Sequence, residues 1–111
     1  MDYGQGTPPP QKSNCEWTAT TTHGVDTVQL HVKGVCQEPT PGYTLTLEPA
    51  APQGINPEIL LLQLTVKAPT GIVPQHVTPT PVEYTHTYVV PNARIPKQVT
   101  IVPDGPTLDV K

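Results

Sequence analysis

The chain has no phenylalanine, one tryptophan and one methionine among its 111 residues. Its core must therefore be built mainly from Val, Leu and Ile, with a few Tyr. Only six residues are Lys or Arg, they are scattered along the chain, and the formal net charge is −3. A nucleic-acid surface needs clustered positive charge, so this composition argues against nucleic-acid binding.

Residue types that carry out catalysis are equally scarce. Ser13 is the single serine and lies close to the start of the chain, which argues against a Ser-His-Asp hydrolase. There is no phosphate-binding glycine motif and no HExxH, and the acidic residues are isolated from one another. We therefore predict that the protein is not an enzyme, and we expect no catalytic residue, no cofactor and no metal site.

Long apolar runs are also missing. No run reaches the ~18 residues that a membrane helix needs, and no apolar stretch near Met1 resembles a signal peptide. We expect no membrane span. The expected location is the cytoplasm if Met1 is the natural start, and outside the cell if a signal peptide was removed.

Proline and glycine are abundant instead, with 16 and 8 residues. They are spread between apolar runs, a pattern that favours short strands joined by proline-containing turns. Residues 1–14, with Gly4, Gly6 and three consecutive prolines, are predicted to be a flexible leader. Residues 15–111 are long enough for a single domain with one core.

The most apolar run, from Glu58 to Val66, is interpreted as a central strand. Leu60, Leu62 and Leu64 alternate with more polar positions, as a pleated strand requires. The alternative is a helix, with Asn56 as its N-cap and Pro57 in its first turn. The run ends in Thr-Val with Pro69 close behind, which favours the strand.

The segment from Cys15 to Cys36 predicts a hairpin. If Thr21 lies opposite Leu30, Trp17 lies opposite Gly34 and each step pairs two inward residues. This register also brings Cys15 opposite Cys36. The two cysteines form either a cross-strand disulfide or a pair of buried free thiols, and the sequence leaves both alternatives open.

Two groups of residues are candidates for binding. Tyr84, His86 and Tyr88 share one face of a strand, where His86 is either a ligand or acid–base residue, or a partly buried histidine bonded to a neighbour. The loop 68–81 has little pattern, and Ile72, Val73 and His76 mark it as a possible partner surface.

The expected strands cover residues 15–22, 27–36, 43–48, 58–67, 82–90, 98–102 and 107–110. They predict an all-β, antiparallel β-sandwich of about seven short strands, immunoglobulin-like in size and architecture only. For function, we expect a non-enzymatic module that binds an unknown protein partner or has a structural role. The alternative is a small-ligand, carbohydrate or metal-binding sandwich that uses Tyr84, His86 and Tyr88. The sequence does not determine the oligomeric state.

Overall fold

The computed structural model of the protein describes residues 14–91, 93–103 and 105–111. Apart from Asn14, the leader predicted for residues 1–14 lies outside these ranges. The described residues contain no helix and form seven strands, in this order: β1 (Cys15–His23), β2 (Thr27–Glu38), β3 (Thr44–Pro49), β4 (Ile59–Lys67), β5 (Thr78–Val89), β6 (Gln98–Val102) and β7 (Thr107–Asp109).

The strands form two sheets that pack face to face. The first sheet is antiparallel, with the order β1-β2-β5, so that β2 is central and the other two strands are edges. The second has the order β3-β4-β6-β7, and its β4–β6 pair is parallel while the other two pairs are antiparallel. The predicted β-sandwich is confirmed, with one parallel pair inside an otherwise antiparallel arrangement.

The predicted hairpin is confirmed residue by residue. Strand β1 pairs with β2 so that Trp17 lies opposite Gly34 and Cys15 lies opposite Cys36. The ring of Trp17 covers Gly34 so closely that a Cβ atom on this glycine would overlap it. The sulfur atoms of the two cysteines lie at disulfide-bonding distance, and their Cα atoms are 4.0 Å apart.

The core lies between the inward faces of β2 and of β4 and β6. Every second residue of β2 from Val28 to Glu38 is buried, because alternate side chains of a strand point to the same side. Leu62, Val99 and Ile101 oppose them from the second sheet and are almost completely buried. Each such side chain stabilises the fold by roughly 1.5–3 kcal/mol relative to an exposed one.

Strands β4 and β5 decide two expectations from the sequence, one about strand type and one about a strand boundary. The apolar middle of the chain is a strand, β4, as predicted over the helical alternative. Strand β5 begins at Thr78, four residues earlier than expected, and therefore includes Pro79 and Pro81. Both prolines are tolerated because β5 is an edge strand. Their missing N–H groups would lie on the outer side of β5, where no hydrogen bond of the sheet requires them.

None of the described residues belongs to a helix long and apolar enough to cross a membrane.

Replacing Gly34 should destabilise the hairpin through overlap with Trp17. We expect Gly34→Ala to lower the free energy of unfolding by about 1–3 kcal/mol, because the large ring has to move out of a packed position. Urea denaturation provides the measurement. Val35→Ala is the matched control, since Val35 lies on the outer face and its loss should change stability by no more than about 0.5 kcal/mol. Equal effects of the two substitutions would contradict this account of Gly34.

The positions of Cys15 and Cys36 predict that the purified protein contains a disulfide. In the chain-entropy model, closing a loop with a sequence separation of 21 residues stabilises the fold by roughly 3 kcal/mol. We expect reduction to add about 2 Da to the intact mass and to lower the urea midpoint. If alkylation of the unreduced, unfolded protein labels both thiols, the disulfide is absent.

Candidate functional site

The three aromatic residues singled out in the sequence lie in a row on β5. Tyr84, His86 and Tyr88 face inward and lie opposite Val32, Leu30 and Val28 of β2. Tyr84 and Tyr88 are partly buried against the core, whereas His86 between them is exposed. An inward-facing residue is exposed here because β5 is the edge of its sheet.

The rings of this aromatic row contact one another. The centroids of Tyr84 and His86 are 6.5 Å apart with their planes 2° from parallel, and those of His86 and Tyr88 are 4.5 Å apart at 65°. Burial raises the pKa of both tyrosine hydroxyls, and the nearby Tyr84 raises the pKa of Tyr88 further. At neutral pH the row therefore presents two uncharged hydroxyl groups flanking an imidazole.

The row does not bring together a set of metal ligands. Among the residues that the structure describes, no group of three or more His, Cys, Asp or Glu side chains is placed to hold a metal ion. His86 has a tyrosine on each side along its strand, and neutral tyrosines are poor metal ligands. The geometry suits stacking and hydrogen bonding better than metal coordination.

The main chain of β5 has an open outer edge beside this row. In an antiparallel ladder, alternate residues direct both their N–H and C=O groups toward the same neighbour. Val90 N–H donates to Asp26 O, so the even-numbered residues of β5 pair toward β2. The odd-numbered residues therefore direct their main-chain groups outward, and two of them, Pro79 and Pro81, have no N–H to offer.

From Glu83 to Val89, this outer edge carries a full set of donors and acceptors. We call this stretch the open window. Within the described part of the chain, the one main-chain bond recorded on its outer side is from Ala93 N–H to Val89 O. The odd residues Glu83, Thr85 and Thr87 are exposed. The window is thus a row of main-chain hydrogen-bonding groups without a strand partner among the described residues.

An open cleft of about 340 Å³ begins where the aromatic row ends. Tyr88 forms one wall, Ile59, Leu60 and Pro96 contribute apolar surface, and Arg94 supplies a positive charge. The side chain of Gln53, also at this cleft, exchanges hydrogen bonds with the main chain of Leu61 and so holds the β3–β4 loop in place. The cleft is mainly apolar with one cation at its rim.

A second cleft, of about 330 Å³, lies under Trp17. It forms because β6 pairs with β4 only as far as Gln63, while β4 continues to Lys67. The side-chain amide of Gln63 donates to Leu64 O at 3.4 Å and so engages part of this exposed main chain. This cleft is therefore a weaker candidate for strand addition than the open window.

The other predicted binding residues lie far from the aromatic row. Ile72, Val73 and His76 belong to the loop between β4 and β5, at the opposite end of the sandwich from the cleft beside Tyr88. The ten residue-to-residue steps from Thr78 to Tyr88 span roughly 33 Å of extended strand. Ile72 is fully exposed, and His76 lies beside the hydroxyl of Thr78. The two predicted groups do not form one site.

The end near this loop carries one unusual buried carboxyl. Glu38, the last residue of β2, is 8 % exposed, and burial raises the pKa of its side chain. Its inward position follows from the alternation of β2, but the strand expected over residues 27–36 ended two residues before it. Consecutive alternation from Val28 to Glu38 was the signal that would have identified it.

Neither the open window nor the cleft was expected from the sequence. The sequence did contain a signal for the window. Pro79 and Pro81 are two residues apart, and prolines at this spacing in a strand indicate that the main chain of the odd-numbered residues is unpaired. The cleft joins residues from three separate segments, and no local pattern indicates it.

Comparison of the chain with protein-family models, with curated proteins and with solved structures found no match in any of the three.

The partly buried tyrosines of the aromatic row should make the fold sensitive to alkaline pH. Both pKa values are raised above 10.0 in the folded state, so the unfolded chain loses these protons first, and stability falls as the pH rises through this range. We expect Tyr88→Phe to lose less stability than the wild type between about pH 9 and 11. Urea unfolding across this range provides the test, and equal losses in both proteins would contradict it.

Proposed function

We propose that the protein is a non-enzymatic interaction module that binds an extended segment of a protein partner as an added strand on β5. The observation that carries this proposal is the open window from Glu83 to Val89, whose outward main-chain groups are hydrogen-bonded to no other strand among the described residues. An edge of this kind is a template for pairing, since each added residue satisfies groups that water otherwise solvates.

The positions of the prolines in β5 support a binding site that is limited to one part of the strand. Pro79 and Pro81 remove donors from the first part of the outer edge, a common means of preventing uncontrolled strand pairing. The protection ends at Glu83, at the same point where the aromatic row begins on the inward side. Pairing is thus disfavoured along one part of β5 and permitted along the other.

The side chains beside the window indicate what kind of segment fits. An added strand would place alternate residues next to Tyr84, His86 and Tyr88, over partly buried rings, and the others next to Glu83, Thr85 and Thr87. Cross-strand neighbours of this type interact at about 5 Å. We therefore expect the partner segment to alternate apolar or aromatic residues with polar ones.

A second candidate function is binding of a small ligand such as a carbohydrate by Tyr84, His86 and Tyr88. The cleft beside Tyr88 favours it, because an apolar pocket with a few polar groups is the usual form of a ligand site. Thermal shift with a panel of sugars would test this candidate. A shift that is lost in His86→Ala supports it, and the absence of any shift removes it.

Strand addition can be tested by blocking the outward N–H of Thr85. Thr85 has the same parity as Pro79 and Pro81, so Thr85→Pro removes an outward donor without removing a bond to β2. We expect peptides selected from a random decapeptide library against the whole protein to lose more than about tenfold in affinity for Thr85→Pro, because the missing donor and the proline ring both oppose the added strand.

Thr85→Ala is the matched control, since it removes the hydroxyl and keeps the N–H. It should bind the same peptides as the wild type. Circular dichroism and the urea midpoint must show that Thr85→Pro is folded, and Thr87→Pro is the substitute if it is not. Peptides that bind Thr85→Pro and the wild type equally would contradict binding by strand addition.

A further inference from the structure

The open window and the aromatic row share one centre. The window runs from Glu83 to Val89, and the row consists of Tyr84, His86 and Tyr88, so His86 is the middle residue of both. Pro81 limits the window at one end, and the bond from Ala93 N–H to Val89 O limits it at the other. A segment that uses the whole window must therefore be centred opposite His86.

We propose that the partner segment is β5 of a second copy of this chain, paired antiparallel about a two-fold axis through His86. This inference rests on strand addition at the open window as the function. An antiparallel edge is self-complementary, because rotation by 180° places each outward N–H opposite an outward C=O. The two three-stranded sheets then join into one continuous sheet of six strands.

The register of this dimer follows from the limits of the window. With His86 on the axis, Glu83 pairs with Val89 of the second copy, and Thr85 pairs with Thr87. A shift by two residues in either direction places Pro81 or Pro91 at a pairing position, where no N–H is available. In the centred register every outward residue of one window lies opposite a residue of the other window that has an N–H, which allows up to about eight main-chain hydrogen bonds.

The same register matches the side chains of the two faces. On the inward face, Tyr84 lies beside Tyr88 of the second copy and His86 lies beside its own symmetry mate. This arrangement extends the contacts already present within the row, where ring centroids are 4.5 and 6.5 Å apart. Paired aromatic and Thr–Thr neighbours across strands are stabilising, and this register places no two Asp, Glu, Lys or Arg side chains opposite each other.

The contact is small, and its size sets the expected affinity. Seven residues on each side bury less than the ~1,200 Å² typical of stable complexes. We expect a dissociation constant on the order of 10–100 µM, so that the protein is monomeric when dilute and dimeric when concentrated. Sedimentation equilibrium of the full chain from about 5 to 500 µM covers both regimes.

Cross-linking at the axis tests the register directly. Residues that face each other in a non-hydrogen-bonded antiparallel pair lie within disulfide reach, and Cys15 and Cys36 occupy such a pair within this chain, with Cα atoms 4.0 Å apart. We expect His86→Cys to form an intermolecular disulfide between the two copies of residue 86 under mild oxidation. Peptide mapping by mass spectrometry identifies the bridge.

Tyr84→Cys is the matched control, on the same face of the same strand. In the centred register the two copies of residue 84 are offset by four residues, or about 13 Å, which is beyond the reach of a disulfide. Cross-linking of His86→Cys and not of Tyr84→Cys supports the proposal. Equal cross-linking of both variants, or of neither, overturns it.

The sedimentation experiment separates this inference from the proposed function. Thr85→Pro should be monomeric over the whole concentration range, and Thr85→Ala should dimerise like the wild type. A wild-type protein that stays monomeric at 500 µM, well above the expected ~100 µM constant, overturns the dimer. If its selected peptides still distinguish Thr85→Pro from Thr85→Ala, strand addition stands and the second copy is excluded. If neither distinction is found, both proposals fail.

Discussion

Strand β2 is paired on both sides and buried on one face, and this is the constraint on which the rest of the structure depends. This strand pairs with β1 on one side and β5 on the other, and its alternate residues from Val28 to Cys36 close the core against the second sheet. A slip of one residue in either pairing would turn the apolar face of β2 toward water. The registers of β1 and β5 are therefore fixed by the burial of β2, and Trp17 over Gly34 reinforces the first of them.

Pairing with β2 fixes the register of β5, and this register determines which main-chain groups lie on the outer edge of β5. Because the even-numbered residues of β5 form main-chain hydrogen bonds with β2, the odd-numbered residues must direct their main-chain groups away from the sheet. The side chains follow the same alternation, so the aromatic row faces inward at the edge of the core and the threonines face outward. The candidate site is thus a consequence of the packing that stabilises the fold, with no separate element built for it.

The electrostatics of the site are mild and local. The tyrosine hydroxyls of the row have raised pKa values because burial disfavours their charged form, and they stay neutral under ordinary conditions. The one ion pair recorded among the described residues, between Lys97 and Glu58, is exposed and contributes little. Recognition at this surface is therefore expected to depend on main-chain hydrogen bonds and ring contacts, with a smaller part for charge.

Local alternation in the sequence determined the strands and the β1–β2 hairpin with its register, because adjacent strands joined by a short turn have only a few ways to bury the same face. It also placed Tyr84, His86 and Tyr88 on one side of β5. Only the tertiary structure decided that β4 and β6 pair in parallel, that β5 is an edge, and that Ile72 and His76 lie at the other end from Tyr88. These features depend on which distant strands become neighbours. That choice follows from the packing of two whole faces against each other, and no stretch of consecutive residues records it.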